Sequence, residues 1–484
     1  MSVSFSLDPV DLPGVIRTVG GWPGAERYPP LELRRVEIAA DAFERLSDVL
    51  ADVAPDASTV LVIQDDTPMR RRGADLKQAV AEMLSAAGRE VEVCELAGGA
   101  DGSLHAEVDR LDEVIDHLHP GVAVIALGSG TVTDLAKHAC FTYEERTGEH
   151  LPLVFCPTAL SVLAFSARMA VIAKDGVKRT SPSRLSEALV FDLGALVEAP
   201  RHLTLAGFGD LAPMFTSFAD WCLGDALGLA EFFEPSLRIV ADVRDNFAQV
   251  AALLRQPTAE GLEALAKMNV LGGLSATLAD ESAPLSGYEH VTGHMLDMGS
   301  EHFGRVLADH GAQVAVALIP HAIAFDMLLR ELDPSQIELG RCYPSAQEME
   351  AVVRDTFAEL DPSGRMADEC WSDYSIKLEA WHGARERFEA MLADWPRERE
   401  RLSSLLTSPE DIVQVLAAAG APLRFPELEP PVSEREGRWA FQNAHLMRKR
   451  FSAGDLYYLL GWLDRGLTER VFARRDQLVA AAGP

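Results

Sequence analysis

Asp210 and three histidines, His290, His294 and His310, are the residues whose types and spacing could best do chemistry in this chain. A catalytic divalent ion takes three protein ligands from His, Asp, Glu and Cys and keeps one position open for water or substrate. One carboxylate with two imidazoles meets that requirement. His290 and His294 lie four apart in Tyr288-Glu289-His290-Val291-Thr292-Gly293-His294-Met295, so on a helix both project from one side. His310 precedes Gly311, which admits close backbone approach. The chain has 13 His, so ordinary core or surface roles compete with this reading, and spacing alone leaves all three histidines as candidates.

A second chemical signal lies upstream. The apolar run Val122-Ala123-Val124-Ile125-Ala126-Leu127 leads directly into Gly128-Ser129-Gly130-Thr131-Val132-Thr133-Asp134-Leu135-Ala136-Lys137. A glycine-containing turn from strand to helix exposes backbone N–H groups at the positive end of the helix dipole, a position suited to a dinucleotide pyrophosphate. Thr133 stands at the third glycine position of GxGxxG, so this is not the usual fingerprint, and a plain tight turn is the competing reading. Asp65 ends an earlier strand-like run, where a carboxylate can accept hydrogen bonds from ribose hydroxyls. It can equally begin a turn.

These residues need a scaffold, and the first half of the chain supplies a succession of βα units. Strand-like runs at Leu31 to Ala39, Thr59 to Ile63, Glu90 to Cys94 and Val122 to Leu127 alternate with helical patterns at Asp41 to Val53, Ala74 to Ala87 and Leu104 to Leu118. The pattern predicts a parallel, doubly wound, Rossmann-like sheet. After about residue 193 long helical periodicities take over, at Leu211 to Leu223, Pro235 to Leu254 and Thr258 to Ala279. The expected division is a dinucleotide-binding α/β domain over 1–193 and an all-α, metal- and substrate-binding domain over 194–484. The charged stretch from Asp361 to Arg401 reads as a solvated helix face, with an oligomer contact as the alternative.

Bulk properties narrow the class. The chain has 484 residues, beyond the roughly 250–300 at which single cores stop growing, so at least two domains are expected. A net charge of −30 disfavours nucleic acid as a partner and requires a local basic pocket for any anionic substrate. The six cysteines form no CxxC pair and read as buried, reduced thiols. No apolar run approaches the length of a membrane crossing and no signal sequence is seen at Met1-Ser2-Val3-Ser4, so a cytoplasmic protein without a membrane partner is expected.

Five segments, in order, carry a family resemblance. They are Gly128 to Lys137, Pro157-Thr158-Ala159-Leu160-Ser161, Ala206-Gly207-Phe208-Gly209-Asp210-Leu211, Ser286 to His294 with His310-Gly311, and Ala444-His445-Leu446-Met447-Arg448-Lys449-Arg450-Phe451. The chain resembles the metal-dependent sn-glycerol-1-phosphate dehydrogenases, within the superfamily of glycerol dehydrogenases, iron-containing alcohol dehydrogenases and 3-dehydroquinate synthases. The resemblance implies a dehydroquinate synthase-like architecture. It implies Asp210, His290 and His310 as metal ligands, with Asp210 also counted as catalytic, and His294 beside the substrate. Around the dinucleotide it places Asp65, Gly128, Ser129, Gly130, Thr131, Asp134, Thr158 and Ser161. The implied cofactors are NAD, with NADP as the alternative, and one divalent metal ion, zinc first, with nickel or iron as alternatives.

The chain departs from the family pattern at several places. Leu163 stands where an acidic residue usually contacts the polyol, Ala167 where a cofactor-loop serine falls, and Met214 and Ala283 where a Lys and an Arg are common. Two missing cations bear on the substrate, because a phosphate monoester is normally held by Arg, Lys or helix N-termini. Arg168, Lys174, Lys178 and Arg179 could supply charge or could form a solvated loop. The leading expectation is an NAD(P)-linked, metal-dependent, homo-oligomeric dehydrogenase of a small alcohol, polyol or polyol phosphate. The alternatives are a dehydroquinate synthase-like cyclase or lyase that uses NAD transiently, against which Asp at 210 counts, and a non-catalytic NAD-binding homologue.

Overall fold

Six short runs rich in β-branched and aliphatic residues build a parallel sheet, its four central strands buried on both faces and its two edge strands partly exposed, in the computed structural model, which describes residues 3–99, 102–174, 177–300 and 302–483. The strands are β1 (Arg35–Ala39), β2 (Thr59–Asp65), β3 (Glu90–Leu96), β4 (Val122–Gly128), β5 (Leu153–Pro157) and β6 (Ala188–Asp192). Their order is β1-β6-β5-β4-β2-β3. Every pairing is parallel, with Val60 opposite Ala123 and Val124 opposite Leu153. Because side chains alternate across a strand, Val60, Val62, Ala123, Ile125, Leu127, Val154, Cys156 and Val190 share one face, which packs on Leu46, Val49 and Leu50 and on Leu76, Val80 and Leu84 from two helices. The residues between them, such as Leu61, Ile63, Val124, Phe155 and Phe191, are as fully buried on the opposite face. Two covered faces are what an all-parallel sheet requires, and the expected doubly wound α/β region is present.

The chain forms two compact units. The first comprises Met1–Lys174, Lys178–Leu211 and Pro235–Ser282, and so contains the sheet together with the helices Arg201–Leu211, Ala241–Leu254 and Ala259–Ala279. The second comprises Asp175–Val177, Ala212–Glu234 and Ala283–Pro484, and its longer elements are helices, among them Ser217–Ala226, Tyr288–Gly299, His310–Glu331, Arg365–Gly383, Glu434–Asn443 and Leu467–Ala482.

Several element boundaries differ from the sequence expectations for local reasons. The helix expected over Leu211 to Leu223 is broken by a 3-10 turn, Ala212–Phe215, at Pro213, so Asp210 sits in the last turn of Arg201–Leu211 and a separate helix begins at Ser217. The charged stretch from Asp361 to Arg401 is helical but not merely solvated: Met366, Cys370, Tyr374, Lys377 and Trp381 bury one face of Arg365–Gly383. His310–Glu331 corrects the expectation that no segment reaches membrane-crossing length. It spans 22 residues with mean hydropathy 1.7 in its most apolar window, yet 89% of that window is buried inside the protein, as in a central core helix. All six cysteines are free and buried.

Candidate active site

The first unit gathers the residues expected around a dinucleotide. The strand order β3-β2-β4-β5-β6 reverses direction between β2 and β4, and in open α/β sheets ligands bind beyond the carboxyl ends of the strands at such a switch point. Asp65 ends β2 and Gly128 ends β4, and their neighbours Gln64 and Leu127 are direct partners. Ser129 then takes the N-cap position of Gly130–Thr147 without a side-chain capping bond, which leaves the first-turn amides suited to an anionic ligand.

The glycines here are dictated by space. A Cβ on Gly128 would lie 2.6 Å from Val132 Cγ2, and one on Gly130 would lie 2.6 Å from Val162 Cγ2. The Thr158 N–H donates to Gly128 O at 3.0 Å, and Thr158 and Ser161 are both buried nearby in sequence. Thr131 lies in the first turn, half-buried. A glycine turn at a helix N-terminus, with no Cβ to keep a ligand from the first-turn amides, suits a pyrophosphate.

Two of the expected cofactor residues have structural partners. Asp65 Oδ1 accepts the Thr67 N–H at 3.1 Å, so Asp65 does begin a turn; burial raises its carboxyl above the usual range against the lowering effect of that bond. Asp134 pairs with Lys137 Nζ at 3.2 Å and accepts the Val171 N–H at 3.2 Å. Burial raises Asp134 and lowers Lys137. Lys137, which is not among the residues expected from the sequence, also donates to Ala164 O at 2.8 Å and Ala167 O at 3.2 Å, bracing the loop that follows Ser161. Ser166 does not take the place of the missing serine at Ala167: its hydroxyl donates to Val270 O at 2.8 Å inside the core.

Asp210 belongs to the same unit. Its Oδ2 accepts the N–H of Leu163 at 2.8 Å. The close approach of its helix depends on Gly207, where a Cβ would fall 1.8 Å from Leu160 O. Leu163 is buried, so the position of the usual acid presents its backbone to Asp210. Arg168 pairs with Glu32 at 3.5 Å.

The second unit brings the three histidines together. His290 and His294 lie on one side of Tyr288–Gly299, and His310 opens the next long helix. The His310 ring centroid is 5.3 Å from that of His290 and 4.7 Å from that of His294. His294, Asp297 and His310 offer ligand atoms that all lie within 4.8 Å of one another. His294 is therefore as close to His310 as His290 is, and the arrangement within this unit does not by itself separate their roles. The set of three imidazoles and a carboxylate matches the donor chemistry of a zinc, iron or nickel site.

Beneath the histidines lies a buried polar knot that sequence reasoning missed. Glu289 Oε1 accepts the Gly287 N–H at 2.6 Å and lies 3.5 Å from His290 Nδ1, and Glu289 Oε2 accepts from Thr216 Oγ1 at 3.1 Å. His321 Nε2 stands 3.1 Å from Asp220 Oδ2 and 3.7 Å from Glu289 Oε2. Asp220 also accepts the N–H groups of Tyr288 at 2.8 Å and Ala453 at 2.7 Å, capping two helices from a third. Burial pulls His321 down, but the two carboxylates overcome it and leave its pKa raised; burial pushes Glu289 up, but His290 and His321 leave it lowered. These three residues also have metal-ligand types and spacing, but their ion pairs and amide bonds already account for them. The local sequence signal of the knot is the acid beside His290, Glu289, and an acid next to a histidine is common on any helix.

Near the start of the same helix, Ser286 Oγ accepts from Arg448 Nη1 at 3.4 Å and Arg450 Nη2 at 3.1 Å. Two guanidinium groups thus meet Ser286, four residues upstream of His290, whereas Met214 and Ala283 are fully buried apolar residues.

Residues 37–200 match the model of the iron-containing alcohol dehydrogenase family. A glycerol-1-phosphate dehydrogenase [NAD(P)+] of Bacillus subtilis is 28% identical over 319 residues, covering 65% of this chain and 78% of the relative. One from Thermofilum pendens is 33% identical over 202 residues, covering 41% and 54%. Among solved structures, glycerol dehydrogenase from Schizosaccharomyces pombe covers 91% of each chain at 15% identity with a TM-score of 0.54, and an iron-containing alcohol dehydrogenase from Thermotoga maritima covers 90% of this chain and 99% of its own at 11% identity with a TM-score of 0.55. These two structures share the fold. Residues 37–200 thus resemble the iron-containing alcohol dehydrogenases, and the sequence relatives named here are glycerol-1-phosphate dehydrogenases.

Proposed function

We propose that this chain is an NAD(P)-linked, metal-dependent dehydrogenase that interconverts an alcohol and a carbonyl on a small polyol or polyol phosphate. The observation that carries the reading is the convergence of His290, His294 and His310, ring against ring. The proposed ligand set is Asp210, His290 and His310, on the family resemblance and on their donor chemistry, with zinc first and iron or nickel as alternatives. When bound, the divalent ion supplies a Lewis acid for the substrate oxygen and the nicotinamide supplies the hydride acceptor.

The chain's own residues do the rest. Gly128, Ser129, Gly130 and Thr131 present first-turn amides to the pyrophosphate, and Asp65 accepts from the ribose, which favours NAD over NADP by repelling a 2′-phosphate. Thr158 and Ser161 line the same region, while Asp134 serves it from behind by holding Lys137 and the loop it braces. His294 receives the proton of the substrate hydroxyl on oxidation and returns it on reduction. Arg448 and Arg450 provide the positive charge that Met214 and Ala283 do not, which keeps a phosphate ester within the substrate class. The proposal places a homo-oligomeric enzyme in the cytoplasm.

The test is a panel of polyols and their phosphates assayed for net NADH or NADPH formation with each metal. Accumulation of reduced cofactor in step with one substrate is expected. NAD dependence without net reduction would instead support a cyclase or lyase, and no turnover with any substrate would support a binding protein.

A further inference from the structure

We infer that Glu289 and Asp297 are positioning carboxylates that hold His290 and His310 as Nε2 ligands. This rests on the reading of those two histidines as metal ligands. A metal-bound imidazole usually gives its second ring N–H to a carboxylate or carbonyl, which fixes the tautomer and the ring orientation and makes the ligating nitrogen more basic. Both histidines have a carboxylate facing one ring nitrogen within ion-pair reach. His290 turns Nδ1 to Glu289 Oε1 at 3.5 Å, and His310 turns Nδ1 to Asp297 Oδ2 at 3.9 Å. Nε2, on the far side of each ring, is left as the ligand atom.

The carboxylates are themselves held. Glu289 is fully buried and fixed by the Gly287 amide, the Thr216 hydroxyl and His321. Asp297 Oδ1 accepts from Gln313 Nε2 at 2.7 Å, and the same amide nitrogen donates to Ala308 O at 2.8 Å. Gln313 is fully buried and sits on the His310 helix, so the residue that orients Asp297 is tied to the element that carries the ligand. Neither acid needs to touch the ion to act on it. A set of His294, Asp297 and His310 as direct ligands is the other arrangement the distances allow, and it predicts a different response to substitution.

The experiment is cobalt(II) titration of the full-length protein, read by its visible absorption bands, with cobalt(II) affinity measured by competition with a chelator. Glu289→Gln and Asp297→Asn are each expected to weaken affinity by roughly 10- to 100-fold and to shift the bands without abolishing the site. Asp455→Asn, which breaks the buried Lys377 pair elsewhere in the same unit, is the structural control and is expected to lower stability while leaving bands and affinity unchanged. Wild-type affinity in both carboxamide variants would overturn the inference, as would equal weakening in the control. Complete loss of the site in Asp297→Asn with none in Glu289→Gln would also overturn it, by making Asp297 a ligand. Absence of cobalt binding by the wild-type protein, or binding unaffected by His290→Ala, would overturn the proposed function and this inference with it.

Discussion

At the scale of single residues, the site depends on small side chains as much as on charged ones. Gly207 lets the helix bearing Asp210 press onto the Thr158–Ser161 loop, since any Cβ would lie 1.8 Å from Leu160 O, a backbone atom that cannot rotate aside. Gly207→Ala is therefore expected to cost about 1–3 kcal/mol of stability and to weaken metal and dinucleotide binding together. Gly340→Ala, with nothing within 4 Å, is the matched control. Urea denaturation with metal and NAD titrations would check this; an alanine variant that binds both like the parent would show that the close approach does not position Asp210. The glycines and acids are visible in the sequence but this constraint is not, because Leu160 is brought to Gly207 only by the fold.

At the scale of elements, the helices of the second unit are joined by polar groups with little access to water. Lys377 pairs with Asp455 at 2.7 Å and also donates to His445 O. Burial and the Lys377 charge push the His445 imidazole down to about 3 from its usual 6.5. A depressed imidazole stays neutral in the folded protein while the unfolded chain takes up a proton below 6.5, so this group makes the fold less stable as pH falls from about 6.5 towards 3. The slope is at most about 1.4 kcal/mol per pH unit. His445→Phe, which can keep the ring contact with Tyr458 at 4.6 Å, is expected to flatten that limb. Stability measured at pH 7 and pH 5 in both proteins decides it; an equal loss in the two would assign the acid sensitivity elsewhere. Element identity is legible where one force dominates. The run Val122 to Leu127 reads as a buried strand because every side chain in it is apolar and both sheet faces are covered. The break at Pro213 is hidden, since apolar periodicity continues through it, and the strands Leu153–Pro157 and Ala188–Asp192 are absent from the sequence expectation.

At the scale of the whole molecule, the sequence carried the fold class and the identity of the chemistry-bearing residues, because glycine turns, buried strands and spaced histidines follow local rules. It did not carry the buried knot of Asp220, Glu289 and His321, whose members lie as far apart as positions 220 and 321 and meet only after the helices pack. The departures at Leu163, Met214 and Ala283 take on meaning in the same way: Leu163 offers a backbone N–H to Asp210, and the guanidinium groups near His290 come from positions 448 and 450. The central claim is that Asp210, His290 and His310 hold a catalytic divalent ion. Its most direct test is the metal content of the purified protein beside Asp210→Ala and His290→Ala variants shown to be folded. The account predicts one ion per chain in the parent and its loss, with any net NAD(P)H formation, in both variants; an undiminished metal content in either would contradict it.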